Sequence, residues 1–206
     1  MGILERPFAA LYDKIIQSTE TKWLRAARQN MLQGLTGQIL EIGARTGANF
    51  PHYSLKPRVT TIEPSNHFFK RAQSKLANTS TNIQLENANT ENLPFKDDTF
   101  NATIATLVFY TIHNPMKALA EVRRVTKPEG QLLLIEHVQA NTPIKRLPIN
   151  LWNPSQQFLT GGCNLNRDTK SNVTNAGFQI EETQLLATEM GSPLLYIRAT
   201  NLKESS

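Results

Sequence analysis

Apolar side chains recur at helical spacing near the start of the chain. From Phe8 to Ile16 they form one stripe, with polar residues such as Asp13 and Lys14 on the other side. A second helix is predicted from Trp23 to Leu35, where glycines end the pattern. The chain is therefore expected to begin with two amphipathic helices.

After Gly37 the pattern changes to short segments rich in β-branched residues, which alternate with helical segments. This alternation is typical of βαβ units and predicts a parallel sheet. The predicted strands are Gln38–Ile42, Arg58–Ile62, Asn82–Leu85, Asn101–Leu107, Gln131–Glu136, Gln179–Leu186 and Leu194–Ala199. The predicted helices are Gly47–Ser54, Asn66–Ala77, Pro115–Val125 and Asp168–Ala176.

The length of 206 residues fits one domain. We expect a helical lead or cap over residues 1–36, the sheet and its helices over 37–200, and a tail over 201–206. The segment Asn141–Leu165 contains three prolines and two adjacent glycines. This composition predicts an irregular insertion that faces the substrate.

The chain has 22 Lys and Arg against 17 Asp and Glu, a net charge of +5. A positive balance suits an anionic partner such as a lipid surface or nucleic acid. The sequence has no basic stripe interleaved with aromatic residues, which argues against nucleic acid.

Cys163 is the single cysteine, so a disulfide within the chain and a multi-cysteine metal site are excluded. We expect no bound metal and a reducing, cytoplasmic location. Glu5, Arg6 and Pro7 interrupt the apolar run that a signal peptide needs, and no run approaches the ~20 apolar residues that span a bilayer. A soluble protein, at most peripheral at the inner membrane face, is expected.

The segment LEIGARTGANF, residues 40–50, predicts a strand, a glycine-containing turn and then a helix. At such a turn the backbone can approach a ligand closely, and a helix N-terminus presents N–H groups. Glu63 follows the next predicted strand about twenty residues later, where an acid can accept hydrogen bonds from ribose hydroxyls. Together the two features indicate a nucleoside-binding edge.

These residues resemble the class I S-adenosylmethionine-dependent methyltransferases, specifically the methyltransferase type 11 domain. LEIGARTG is similar to the first motif of that family, ExGxGxG, and the family also has an acid at the end of the second strand. NTENLPFKDDTFNATIATLVFYTI and ALAEVRRVTKPEGQLLLIEH resemble its later segments in the same order. The resemblance implies a Rossmann-like α/β fold: a doubly wound, seven-stranded, mostly parallel sheet with an antiparallel last strand and helices on both faces.

Glu136–His137, the string WNP and the string GGCNLNRDT are similar to one subgroup. That subgroup contains the soluble bacterial phosphatidylethanolamine N-methyltransferases and thiol methyltransferase-like proteins. The resemblance implies S-adenosylmethionine as cofactor, S-adenosylhomocysteine as product, and a small-molecule or lipid substrate.

The resemblance also assigns cofactor contacts by position. Glu41, Gly43 and Gly47 would line the methionine end, and Glu63 would hold the ribose. Asn49 lies in the same motif. The remaining predicted contacts are Pro64 and Ser65 beside the adenine, Asn89 and Thr90 at its amine, Thr106, Leu107 and Val108 beside the sulfonium, and Tyr12 closing over the cofactor. Tyr12 is equally compatible with a core aromatic role.

Arg45 stands where the family has its middle glycine. If that position needs a positive φ, a side chain there costs roughly 1–2 kcal/mol and must also leave the path of the cofactor. Three outcomes stay open: weakened binding, a side chain that swings outward, or a guanidinium that pairs with the carboxylate of the cofactor.

Other positions also depart from the family pattern. Asn89, Asn101 and Asn114 carry amides where acids are usual, and Glu129 replaces a glycine before the fifth strand. An asparagine still accepts a hydrogen bond through its carbonyl, so such a change loses charge assistance but keeps the contact.

Candidate catalytic residues follow the fourth and fifth predicted strands. His113 and His137 could accept a proton from an ammonium substrate, and Tyr110 could orient the amine. Trp152 and Arg167 are predicted substrate contacts, Arg167 as a ligand of a phosphate or carboxylate. Hydrogen-bonded loop residues and a helix-flanking charge are the structural alternatives for these side chains.

Three functions are compatible with these features. The first is methylation of a phospholipid amine, favoured by the amphipathic Phe8–Ile16 helix and the net charge. The second is methylation of a small thiol, a quinone-type ring carbon or another small molecule. The third is a binding module that has lost transfer activity, suggested by Arg45.

Overall fold

The computed structural model describes residues 23–79, 82–139, 167–189 and 192–204. The predicted Phe8–Ile16 helix, the Asn141–Leu165 insertion, Tyr12, Trp152 and Cys163 lie outside these residues. The boundary at residue 36 stays a prediction.

Seven strands form one sheet with the order β3-β2-β1-β4-β5-β7-β6. The strands are β1 Gln38–Ile42, β2 Arg58–Ile62, β3 Ile83–Glu86, β4 Phe100–Thr106, β5 Thr126–His137, β6 Phe178–Glu189 and β7 Ser192–Asn201. The first five pair in parallel, whereas β7 runs antiparallel to both β5 and β6. The predicted sheet, with its antiparallel last strand, is confirmed.

In the described part of the chain four α-helices accompany the sheet: α1 Arg25–Leu32, α2 Asn66–Leu76, α3 Pro115–Val125 and α4 Thr169–Asn175. A side-chain oxygen caps the start of each of the last three, from Ser65, Asn114 and Asp168 respectively. Each accepts an orphan backbone N–H of the first turn, so the helix starts are set by local chemistry.

The helices lie on both faces of the sheet. Leu40 of β1 belongs to the cluster with Leu119 of α3, whereas the adjacent Ile39 belongs to the cluster with Met31 of α1 and Ala72 of α2. Because successive side chains of a strand point to opposite faces, one strand supplies both cores.

The helix predicted over Gly47–Ser54 is wrong. The structure has only a 3-10 turn at Phe50–His52, and Pro51 sits inside it without an N–H to donate. Gly47 has φ 73°, outside the right-handed helical region, and a Cβ there would lie 2.6 Å from the Phe50 ring. The other predicted elements that fall within the described residues are present, with ends moved by up to five residues.

Candidate active site

The carboxyl ends of β1, β2 and β4 meet at the point where the strand order reverses. β1 lies between β2 and β4. From β1 the strand order continues to β2 and β3 on one side and to β4 and β5 on the other. In open α/β sheets ligands bind in the crevice at this position. The turn after β1, Glu63 after β2 and the loop after β4 therefore border one crevice.

The turn after β1 has three left-handed residues: Gly43 at φ 71°, Arg45 at φ 50° and Gly47 at φ 73°. A Cβ on Gly43 would lie 2.6 Å from a Val108 methyl group, so only glycine allows the loop after β4 to pack here. Arg45 has the positive φ that was considered for this position from the sequence. A side chain in this conformation costs roughly 1–2 kcal/mol of folding free energy.

Glu63 joins the turn after β1 to the loop before α2. Its buried carboxylate accepts hydrogen bonds from the Arg45 N–H at 2.8 Å and the Ser65 N–H at 2.9 Å. The Asn87 amide donates to the Glu63 carbonyl at 2.9 Å, a contact that the sequence analysis missed. The acid predicted to hold a ribose is therefore fixed at the centre of the crevice.

The Arg45 side chain lies across this crevice. Its guanidinium carbon is 5.0 Å from the centre of the Phe68 ring on α2, and its Nη2 donates to Thr111 Oγ1, after β4, at 3.4 Å. The two contacts are on opposite sides of β1. The side chain therefore contacts both α2 and the loop after β4, and it is not turned outward.

A buried polar network lies beneath the turn. The Arg28 guanidinium donates to Asn49 Oδ1 at 2.7 Å, and Asn49 Nδ2 donates to Glu41 Oε1 at 2.8 Å. The Tyr53 hydroxyl donates to Glu41 Oε2 at 3.1 Å, and burial raises the pKa of Glu41 to about 7. Both ends of the Asn49 amide are engaged, so the network gives Asn49 and Glu41 a positioning role.

The predicted adenine side lies at the ends of β2 and β3. Ser65 caps α2 by accepting from Phe68 N at 3.4 Å, and Pro64 is exposed beside it. Asn89 is exposed and accepts from Glu91 N at 3.0 Å, whereas Thr90 is buried. The structure brings these residues to one edge, and their contact with adenine stays a prediction.

The loop after β4 is held by Glu136, at the end of β5. Glu136 is fully buried, and its Oε1 accepts from Val108 N at 2.7 Å and Phe109 N at 2.8 Å. Leu107 has φ 56° at the start of this loop, and Thr106 ends the strand. Burial raises the pKa of Glu136 to about 7. In the sequence, Glu136 stands out only as part of the Glu136–His137 string, with no role of its own.

Two of the three predicted catalytic residues meet in the structure. The rings of Tyr110 and His137 lie edge to face, with centroids 5.9 Å apart. Burial lowers the pKa of His137 to about 4, so its imidazole is neutral at pH near 7. His113 is exposed, at the far end of the loop.

Arg167 lies over the same loop, just before Asp168 caps α4. Its Nη1 donates to the carbonyls of Phe109 and Ile112, the latter at 2.7 Å. The side chain is half-buried, which lowers the pKa of its guanidinium. The predicted substrate ligand therefore borders the crevice.

Comparison with known proteins agrees with this geometry. A family model described as a methyltransferase domain matches residues 40–134. The thiol S-methyltransferase TMT1B of Homo sapiens is 32% identical over 166 residues, which cover 72% of this chain and 65% of that protein. The phosphatidylethanolamine N-methyltransferase of Cereibacter sphaeroides is 28% identical over 103 residues, 49% of this chain and 51% of that protein.

The fold is also shared with solved structures. The geranyl diphosphate C-methyltransferase of Streptomyces coelicolor, solved with S-adenosylhomocysteine, has a TM-score of 0.67 and 13% identity. The similarity covers 86% of this chain and 78% of that one. The matched domain, the relatives and the sheet order show that the chain belongs to the class I S-adenosylmethionine-dependent methyltransferases.

Proposed function

We propose that this protein transfers a methyl group from S-adenosylmethionine to the sulfur of a small thiol. The observation that carries the choice of acceptor is the burial of His137 against Tyr110, which leaves its imidazole a weak base because burial lowers its pKa to about 4. A thiol ionises near pH 8.5 without help, whereas an ammonium with a pKa near 10 needs an effective base. The similarity to thiol methyltransferases over 72% of the chain supports the same acceptor.

The polar groups and backbone at the crevice fit the cofactor. Glu63 offers carboxylate oxygens to the ribose hydroxyls, and the left-handed turn at Gly43–Gly47 brings backbone close to the methionine end. When bound, the cofactor supplies an activated methyl group on a sulfonium.

The residues of the chain then have to align the acceptor and exclude water. Glu136 fixes the backbone of Val108 and Phe109, next to the predicted sulfonium position. Tyr110 and His137 form the adjoining wall. The neutral imidazole can accept a hydrogen bond from an S–H group, while the thiolate fraction reacts.

Arg45 has to leave its contacts with Phe68 and Thr111 for the crevice to admit the cofactor. We expect a rotation of the side chain and a moderate loss of affinity relative to a glycine at this position. Calorimetric titration with S-adenosylhomocysteine tests this: wild type should bind in the micromolar range, and Arg45→Gly severalfold tighter. Binding by Arg45→Gly alone would support the binding-module alternative.

Incubation with methyl-labelled S-adenosylmethionine tests the acceptor. A panel of small thiols, phosphatidylethanolamine vesicles and phenolic compounds should yield label in the thiols only. Label in lipid alone would contradict the proposal.

A phospholipid amine is the second candidate. The net charge of +5 and the relative from Cereibacter sphaeroides favour it. No helix within the described residues is long and apolar enough to cross a bilayer. If the protein acts on a membrane phospholipid, anionic vesicles should bind it at low salt in a flotation assay. Failure to float with the vesicles would exclude the phospholipid amine as substrate.

A further inference from the structure

The Arg167 guanidinium is held in one orientation beside the loop after β4. Its Nη1 donates to two carbonyl groups, those of Phe109 and Ile112. The two bonds fix the plane of the guanidinium against the wall of the crevice. Both bonds use Nη1, which lies on the side of the guanidinium away from the Nε–H group.

The opposite edge of the same guanidinium carries parallel donors. Within the described residues Arg167 has no ion pair, and neither Nε nor Nη2 has a hydrogen-bond partner. Among the described residues, neither atom is a buried polar atom that lacks a partner. Nε–H and Nη2–H form a planar fork that matches a carboxylate or phosphate.

The surroundings favour an anion. Glu136 interacts electrostatically with Arg167 but makes no ion pair with it in the described part of the chain, so its carboxylate does not occupy the Nε–H/Nη2–H edge. One Glu136 oxygen is already engaged by the Val108 and Phe109 amides. Arg167 is half-buried, and a desolvated cation gains more from an anionic ligand than an exposed one.

We propose that the Nε–H/Nη2–H edge of Arg167 is an anion subsite for the methyl acceptor. It binds an oxyanion, carboxylate or phosphate, that the acceptor carries beside its methyl-accepting atom. The inference rests on the proposed function and narrows it to thiols that bear a negative charge. Neutral and cationic thiols are disfavoured.

Paired probes test the subsite without turnover. 3-Mercaptopropionate and 3-mercapto-1-propanol differ in charge but have nearly the same shape, and O-phosphoethanolamine against ethanolamine provides the phosphate arm. Dissociation constants come from ligand-observed NMR titration of the full chain, with and without S-adenosylhomocysteine. We expect wild type to bind the better anionic probe about tenfold or more tightly than its neutral or cationic partner, as for one charge-assisted bidentate contact.

Variants locate the site. Arg167→Gln should abolish the preference for the anionic probe. An unchanged affinity of this variant for 3-mercapto-1-propanol would show that the loop after β4 is intact. Arg167→Lys keeps the charge but lacks the fork, and should retain only part of the preference. Arg58→Gln removes the same charge from the exposed amino end of β2 and should leave the preference as in wild type.

The outcomes separate the subsite from methyl transfer. Equal wild-type affinities for both members of each probe pair would overturn the subsite whatever the variants do. A preference that persists in Arg167→Gln would overturn it as well. Binding of S-adenosylhomocysteine and methylation of thiols without a charge preference would overturn the subsite alone. A charge preference without S-adenosylhomocysteine binding would support the subsite and overturn methyl transfer.

Discussion

At the scale of single residues, Arg45 and Glu129 share an uncommon backbone conformation. Their φ angles are 50° and 57°, in the left-handed region where a side chain crowds the backbone. Both were singled out in the sequence as replacing family glycines. The structure keeps the glycine conformation at both positions, so the turns are dictated by the surrounding fold and not by the residue that occupies them.

Glu129 offers the cleaner test of that cost, because it is exposed and lies away from the crevice. Glu129→Gly should raise the free energy of unfolding by about 0.5–1 kcal/mol, the relief of strain less the added entropy of the unfolded chain. Glu129→Ala removes the same carboxylate but keeps the Cβ. Urea unfolding of wild type and the two variants should therefore show a higher free energy of unfolding for Glu129→Gly only. Equal free energies of unfolding for Glu129→Gly and Glu129→Ala would contradict this prediction.

Glu136 makes stability depend on pH. Burial raises its pKa from an ordinary 4.5 to about 7, so the folded protein binds a proton that the unfolded chain releases. Stability from this group is complete below pH 4.5 and is lost as the pH rises towards 7. Glu41 has the same sign and range.

We expect Glu136→Gln to reduce the fall in unfolding free energy between pH 5 and pH 8 by about 1–3 kcal/mol. Denaturant unfolding at the two pH values gives this difference for wild type and variant. The other titrating groups cancel in the comparison. An unchanged fall would show that Glu136 is ionised at pH 5 in the folded protein.

At the scale of elements, the Arg28–Asn49–Glu41–Tyr53 network joins α1 to β1 and to the turn that follows it. All four side chains are buried. Asn49→Ala would leave a guanidinium and a carboxylate without their shared partner, at a cost of about 2–4 kcal/mol. Thermal unfolding measures it, with the exposed Asn92→Ala as control; a loss equal to that of the control would show that the network contributes nothing.

The sequence was sufficient for the strands because each is a short apolar run bounded by turn residues. β1 and β2 have the predicted bounds, whereas β5 and β6 are longer because outer residues such as Thr126 and Thr188 are polar but still pair with the neighbouring strand. The Gly47–Ser54 helix was wrong because a helical pattern in sequence does not reveal a left-handed glycine. Arg28 and Tyr53 escaped notice because their partners lie far away along the chain, which only tertiary structure brings together.

The amides that replace family acids illustrate the same limit. Asn89, Asn101 and Asn114 each accept one backbone N–H at 3.0 Å. The acceptance predicted for the Asn89 carbonyl concerned the amine of adenine, and that contact stays a prediction. The partners lie in a turn (Glu91), at the start of β1 (Gln38) and in the first turn of α3 (Lys117), so these departures preserve the local structure of the fold.

At the scale of the whole molecule, the buried carboxylates of the described residues, Glu41, Glu63 and Glu136, all lie at or near the carboxyl ends of parallel strands. Glu63 ties the turn after β1 to α2, Arg45 reaches from that turn to the loop after β4, and Glu136 ties that loop to β5. Three loops that are distant in sequence therefore share contacts. A ligand bound in the crevice should stabilise them together.

Hydrogen exchange with and without S-adenosylhomocysteine tests this coupling. At a concentration of about 100 times the dissociation constant, the ligand should add about 2.7 kcal/mol to the free energy of unfolding. Added protection of local openings should concentrate in residues 43–47, 63–65 and 107–110, because these segments border the crevice and exchange through openings that the ligand opposes. Segments at the amino ends of the strands, such as 36–38 and 56–58, should gain protection only through global unfolding. Protection confined to one of the three loops would contradict the coupling, because the ligand borders all three and the close packing of Gly43 on Val108 joins the turn after β1 to the loop after β4.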